Sequence, residues 1–365
     1  MASNEQAPSL VVDNGSGSCK AGLSGNDGPE AVITSLVCST RTDPKEYFVG
    51  CSAQIKRDIL DTSYPIQRGV ITDWDDMERV WQHLLVNEMG VKPEDHPMLL
   101  AEAPLNAGPN REKITEIVFE KLRCPAFYLA VREVLSLYST GRTTGVVLNS
   151  GFGVTHAVPI DKGFALSQGV ERVELGGCDL DEYLKKLLTE RGYSFSTAAE
   201  CQIVTSIKEK LGFVAADWQK EELSKATKAF KLPDGQFITV GSEIFSCPEA
   251  LFNPSLIGRE IPSLSDAVLN SVRRCSEGLQ SKLFGNVVLS GGTTLFNGLP
   301  ERLQRELEQA VGPAEKVKTI ARSDRKYSAW NGASNLAALS SFQQMWISKQ
   351  DYEEFGVAII HKKCA

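Results

Sequence analysis

Apolar residues along this chain come in short runs broken by glycine and small polar residues. Ser9–Val12 reads as a strand, Asp13-Asn14-Gly15-Ser16-Gly17 as a turn, and Cys19–Leu23 as the returning strand. The same order recurs at Gly145–Leu148, Asn149-Ser150-Gly151-Phe152-Gly153 and Val154–Ile160. Strand, glycine turn, strand is a hairpin pattern, and two such hairpins predict two related lobes that face each other. A third apolar strand, Asn286–Leu289, ends in Ser290-Gly291-Gly292-Thr293-Thr294. The spacing after it, Gly298 to Leu307, is helical, with Pro300 in the first turn. Helices are also predicted over Met77–Met89, Arg111–Leu122, Leu180–Arg191, Ala198–Leu211 and Gly332–Ile347. For Ala198–Leu211, Ser196 and Thr197 supply a capping hydroxyl with Glu200 close behind. Strands alternating with helices place the chain in the α/β class.

Composition narrows the function more than the fold. A length of 365 residues suits two domains, each able to bury its own core. No low-complexity linker separates them, so the lobes are expected to interleave. A net charge of −7 argues against a general nucleic-acid binder, which needs basic surface to meet phosphates. Neither a secretion signal nor membrane insertion is expected from the sequence. Nine cysteines without a C-x-x-C pair read as reduced thiols, pointing to a cytoplasmic protein. His83, His96, His156 and His361 are not spaced as a metal cluster, and each reads as a structural histidine.

The glycine turns carry the candidate chemistry. Without a Cβ, the backbone approaches an anion closely and presents several N–H donors at once. Ser16 adds a hydroxyl, and Lys20 shares its strand face with Ser18 and adds a positive charge. Asp13 is an acceptor suited to the water shell of Mg²⁺. One D-x-G-x-G alone is equally consistent with a plain hairpin; two such hairpins, together with Ser290-Gly291-Gly292-Thr293-Thr294, favour phosphate binding. There is no G-x-x-x-x-G-K-[ST], no G-x-G-x-x-G opening a helix and no G-x-S-x-G elbow. P-loop, dinucleotide and serine-hydrolase readings therefore fit poorly.

These residues resemble actin. Asp13 to Gly22 is similar to its first phosphate loop. So are Tyr64-Pro65-Ile66, Trp74-Asp75-Asp76-Met77-Glu78, Glu102-Ala103-Pro104-Leu105-Asn106, Val134 to Ser139, Gly192 to Thr197, Arg325-Lys326-Tyr327-Ser328 and Phe342 to Gln350 to the corresponding strings. The resemblance covers essentially the whole chain. It implies an actin-like ATPase fold of two similar lobes and four subdomains around a central nucleotide cleft. By that likeness residues 1–34, 65–139 and 328–365 form subdomain 1, 35–64 subdomain 2, 140–175 and 260–327 subdomain 3, and 176–259 subdomain 4. It further implies ATP or ADP with Mg²⁺ or Ca²⁺. Ser16, Gly17, Ser18 and Lys20 would hold phosphate from one side, and Gly151, Gly153 and Val154 from the other. Gly177, Lys208, Glu209, Gly292, Thr293 and Lys326 would surround sugar and adenine. Without the resemblance, Lys208 and Glu209 read as a solvated helix face.

Departures from the pattern matter most. Actin carries aspartates where this chain has Asn149 and Phe152, and a water-positioning glutamine where it has Arg132. Of the side chains around the hydrated cation, Asp13 alone is unchanged. Weak metal binding follows, with Arg132 either standing in for the metal and holding phosphate directly, or the pocket decayed and filled by Phe152. The Cys38–Gly50 segment is several residues shorter than the loop that inserts into the next actin subunit. Arg68 replaces a commonly methylated histidine, Arg259 and Glu260 interrupt the apolar loop Leu251 to Leu264, and Glu5 is the one acid of the N-terminus.

The leading reading is thus a diverged actin or actin-related protein of the cytoplasm and cytoskeleton, with the nucleus also open, binding ATP with little turnover. A conventional polymerising ATPase is the second reading, and a sugar kinase or chaperone ATPase on the same fold the third. For partners, the resemblance implies actin-binding-type proteins in a groove between subdomains 1 and 3, and membership of a cytoskeletal, motor-associated or chromatin complex. Tyr138, Gly141, Thr143, Leu336, Leu339 and Met345 match groove-lining positions, while Asn335 puts an amide where actin is apolar. The alternative for these residues, Leu336 above all, is ordinary core.

Overall fold

The computed structural model describes residues 7–42, 45–222 and 227–364; Glu5, Asp43 and Pro44 lie outside them. The chain forms two units. One contains the chain up to Val147, Ile160–Ser167 and the chain from Tyr327 onward; the other contains Leu148–Pro159 and Gln168–Lys326.

The first unit is built on a six-stranded sheet, in the order Ile347–Ser348, Ala126–Val131, Met98–Glu102, Leu10–Asn14, Ser18–Leu23, Ala31–Thr34. Its three central strands run parallel. Both faces of the sheet are covered, so Leu10-Val11-Val12 and Met98-Leu99-Leu100 are unbroken apolar runs rather than alternating ones. Leu10, Val12, Met98 and Leu100 join one core with Trp81 and Phe127. Val11, Leu99 and Ala101 join the opposite one with Trp330 and Ala333. Leu10–Asn14 and Ser18–Leu23 pair antiparallel, as the sequence pattern predicts.

Helix Ala198–Leu211 has the predicted bounds; Thr197 accepts from the Glu200 amide. The helix expected from Met77 begins three residues earlier, at Trp74, because Asp73 caps it, and its last turn widens into a π-helix over His83–Glu88. Gly332–Ile347 is not one helix. Ser328–Ala337 is helical, Leu339 is extended, and Ser340–Met345 forms a 3₁₀ turn. Serines 340 and 341 favour a cap over a helix interior, and the break lets Phe342 pack edge-on against Tyr128 at 4.9 Å and Trp346 at 5.1 Å. Burial of these rings outweighs the local helical pattern.

In the second unit residues 155–159 of strand Thr155–Asp161, residues 148–150 of strand Gly145–Ser150, Val287–Ser290 and Thr319–Ile320 lie in sheet order, with Glu171–Val173 beside the first. Helices Gly177–Glu190, Ala198–Leu211 and Leu299–Val311 belong to this unit. The helix from Leu299 carries its proline in the first turn. Among the described residues no helix is long and apolar enough to cross a membrane.

Candidate nucleotide-binding hairpins

The first hairpin is tight because Gly15 leaves no room for a side chain; a Cβ there would lie 2.8 Å from the Ser18 carbonyl oxygen. The Gly15 amide donates to that carbonyl, and the amides of Ser16 and Gly17 make no hydrogen bond among the described residues. Ser16 Oγ accepts from the Gly69 amide at 2.8 Å, tying the turn to Arg68-Gly69. Arg68 and Gly69 both have positive φ, as a two-residue hairpin turn requires. Two open amides and the Ser16 hydroxyl proton make a small concave donor set for an anion.

Behind the turn lies a buried charge cluster. Register places Asp13 opposite Lys20, and Lys20 Nζ donates to Asp13 Oδ2 at 2.9 Å. Arg132 opens helix Arg132–Tyr138 directly after strand Ala126–Val131. Its Nε donates to Asp13 Oδ1 at 2.9 Å and its Nη2 to the Asn14 carbonyl oxygen. Burial pushes the Asp13 carboxyl up, but Lys20 and Arg132 outweigh burial and hold it well below the usual carboxylate range. Burial works against the Arg132 charge too; Asp13 and, next in the helix, Glu133 reverse that and raise it. Asn14 Oδ1 accepts from Trp81 Nε1 at 2.9 Å, fixing the end of the strand.

The second hairpin is closed by the Gly151 amide donating to the Val154 carbonyl at 3.0 Å. Its outward carbonyls are occupied. Gly151 O accepts from the Gly177 amide and from Thr293 Oγ1 at 2.7 Å, and Phe152 O from the Cys178 amide. A Cβ at Gly176 would lie 2.5 Å from Phe152 O, so the helix start at Gly177 needs a glycine before it. Lys208 Nζ donates to Gly177 O and pairs with Asp181, both at 2.8 Å. Arg259 bonds Asp179 Oδ1 at 2.7 Å and Glu174 O, and Asp179 accepts from the Gly176 amide. Within this unit Gly151, Val154, Gly177, Lys208 and Thr293 therefore form one braced group. Gly292 lies near Lys326, its ideal Cβ 3.9 Å from Lys326 Cγ, while Glu209 and Lys326 are exposed.

Two sequence expectations change. Lys208 is a buried brace, not part of a solvated face. Phe152 is 42% exposed, so it does not plug its hairpin. Arg259, one of the two charges in its apolar loop, pairs with Asp179. The sequence reading also missed Glu133, Asp179 and Asp181. Asp179 carried a readable signal, an acid three residues after Gly176 at a helix start; Asp181 is paired with Lys208 only through the fold.

A divalent cation would need open oxygen acceptors in this cluster. Both Asp13 oxygens already accept from cationic donors, and among the described residues no three His, Cys, Asp or Glu side chains group as metal ligands. The donor set does not fit such an ion.

The groove-matching residues all lie in the first unit. Leu339 and Met345 are 52% and 44% exposed, as are Gly141, Thr143 and Asn335, while Tyr138 is half-buried. Leu336 packs against the core of Val11 and Trp330. Leu339 thus reaches the surface from an extended residue, not from a helix face.

In the comparison with family models, the family described as Actin matches residues 4–365. Members of that family bind ATP or ADP with a divalent cation and interact with other proteins. The match spans essentially the whole chain, and the chain belongs to the actin family.

Proposed function

We propose that this chain is a cytoskeletal or scaffold member of the actin family that holds ATP or ADP on its two glycine hairpins, turns it over slowly if at all, and assembles poorly with itself. The observation that carries the reading is Arg132. A guanidinium has donors only and stays charged; with Nε and Nη2 committed to Asp13 and Asn14, it offers no acceptor to orient an attacking water. Poor self-assembly rests on the short segment between strands Val37–Ser39 and Tyr47–Val49, in which the Thr40 amide donates to Glu46 O. Under conditions that polymerise conventional actin, phosphate release is expected to be slower by about a hundredfold, with the protein staying in the supernatant on ultracentrifugation. Phosphate release at the rate of actin, or abundant pelleting, overturns the respective half of the reading. Arg132→Gln, Asn149→Asp and Phe152→Asp together are expected to raise the rate.

The partner side of the proposal is a subunit role in a larger cytoskeletal, motor-associated or chromatin assembly, reached through an amphipathic helix of the partner. Support comes from Leu339 and Met345, large apolar side chains left half exposed. Leu339→Asp is expected to weaken binding of an actin-binding helical peptide by about tenfold or more with an unchanged thermal midpoint. A large drop in the midpoint would instead assign Leu339 to the core.

A further inference from the structure

We infer that this chain binds adenine nucleotide without needing a divalent cation, Arg132 occupying the place through which a hydrated metal would be anchored; the inference rests on the nucleotide reading above. A nucleotide-bound Mg²⁺ keeps most of its waters, and the protein holds it by carboxylate oxygens that accept from those waters. In this chain Asp13 is the carboxylate at that position. Lys20 Nζ lies 2.9 Å from one of its oxygens and Arg132 Nε 2.9 Å from the other. A dication brought to Asp13 would meet two fixed cations first.

The cations that exclude the metal do part of its work. Arg132 has five N–H groups and spends two of them on Asp13 and Asn14. Lys20 spends one of its three on Asp13. Five donors on two permanently charged groups therefore remain directly behind a turn whose Ser16 and Gly17 amides are open. Charge-assisted donors of this kind bind phosphate oxygens strongly. Because the cluster is internally paired, it is already assembled before any ligand arrives, and binding does not wait for a metal to neutralise the phosphates.

The test is equilibrium binding of ATP to the whole protein, once with excess Mg²⁺ and once with EDTA, for the wild type and Arg132→Gln. For the wild type the two dissociation constants are expected to agree within about threefold, and ATP is expected to raise the thermal midpoint in EDTA as much as in Mg²⁺. Arg132→Gln keeps the Asp13–Lys20 pair, so the buried carboxylate stays balanced, and it frees Asp13 Oδ1; its affinity is expected to fall about tenfold or more in EDTA relative to Mg²⁺. A wild type that loses ATP in EDTA but binds it in Mg²⁺ overturns this inference and leaves the nucleotide reading standing. Absence of binding in both buffers overturns the nucleotide reading itself. Should Arg132→Gln fail to fold, the wild-type pair of measurements still decides.

Discussion

Valine at Gly332 is expected to destabilise the first unit by about 3 kcal/mol or more, the upper end of what overpacking costs, and to lower its thermal midpoint by roughly 6–12 °C. Gly332 lies inside helix Ser328–Ala337, where helix propensity alone favours almost any other residue, alanine by about 1 kcal/mol. Space decides the sign. A Cβ on Gly332 would sit 1.8 Å from the Leu135 carbonyl oxygen and 2.6 Å from its carbonyl carbon. Those atoms belong to the backbone of helix Arg132–Tyr138 and cannot rotate away as a side-chain tip can. The two helices must part, loosening the core of Val11, Leu99 and Trp330 and shifting the helix that begins with Arg132. Alanine is the milder arm, its propensity gain offsetting part of the clash. Urea melts of both variants measure the effect; a stabilising alanine substitution would show that the helices do not approach this closely.

Local signals explain what could be read in advance. Glycine turns between apolar runs are written within about a dozen residues, so both hairpins and the α/β class were legible. The cap of Ala198–Leu211 is likewise contained in Thr197 and Glu200. The misses are long-range. Arg132 meets Asp13 across 119 positions and Arg259 meets Asp179 across 80, and nothing near either arginine announces its partner. Leu339 fails for the same reason, because its extended backbone follows from Phe342 packing against Tyr128 and Trp346. Resemblance identified Arg132, Asn149 and Phe152 as departures, and only the fold reveals that Arg132 is spent on the carboxylate it stands beside.

That spending predicts how the first hairpin fails. Asp13→Asn is expected to cost about 3–5 kcal/mol at neutral pH, because it leaves Lys20 and Arg132 buried beside an amide that balances neither. The loss should exceed that of most surface substitutions several-fold. Removing one of the stranded cations should return part of it, so Asp13→Asn with Arg132→Gln is expected to be more stable than Asp13→Asn alone, by about 1 kcal/mol or more. Acid supplies an independent check. The folded Asp13 carboxyl is held below its unfolded value by Lys20 and Arg132. Its contribution is therefore complete above the ordinary aspartate range, near about pH 4, and drains away as pH falls toward the depressed folded value. The stability gap between wild type and Asp13→Asn should be widest at pH 6–7 and should close progressively below about pH 4. Denaturant melts of the three proteins across that range are the measurement. A gap at neutral pH below about 1 kcal/mol, or one that widens on acidification, would mean that the two cations do not depend on Asp13 for their balance.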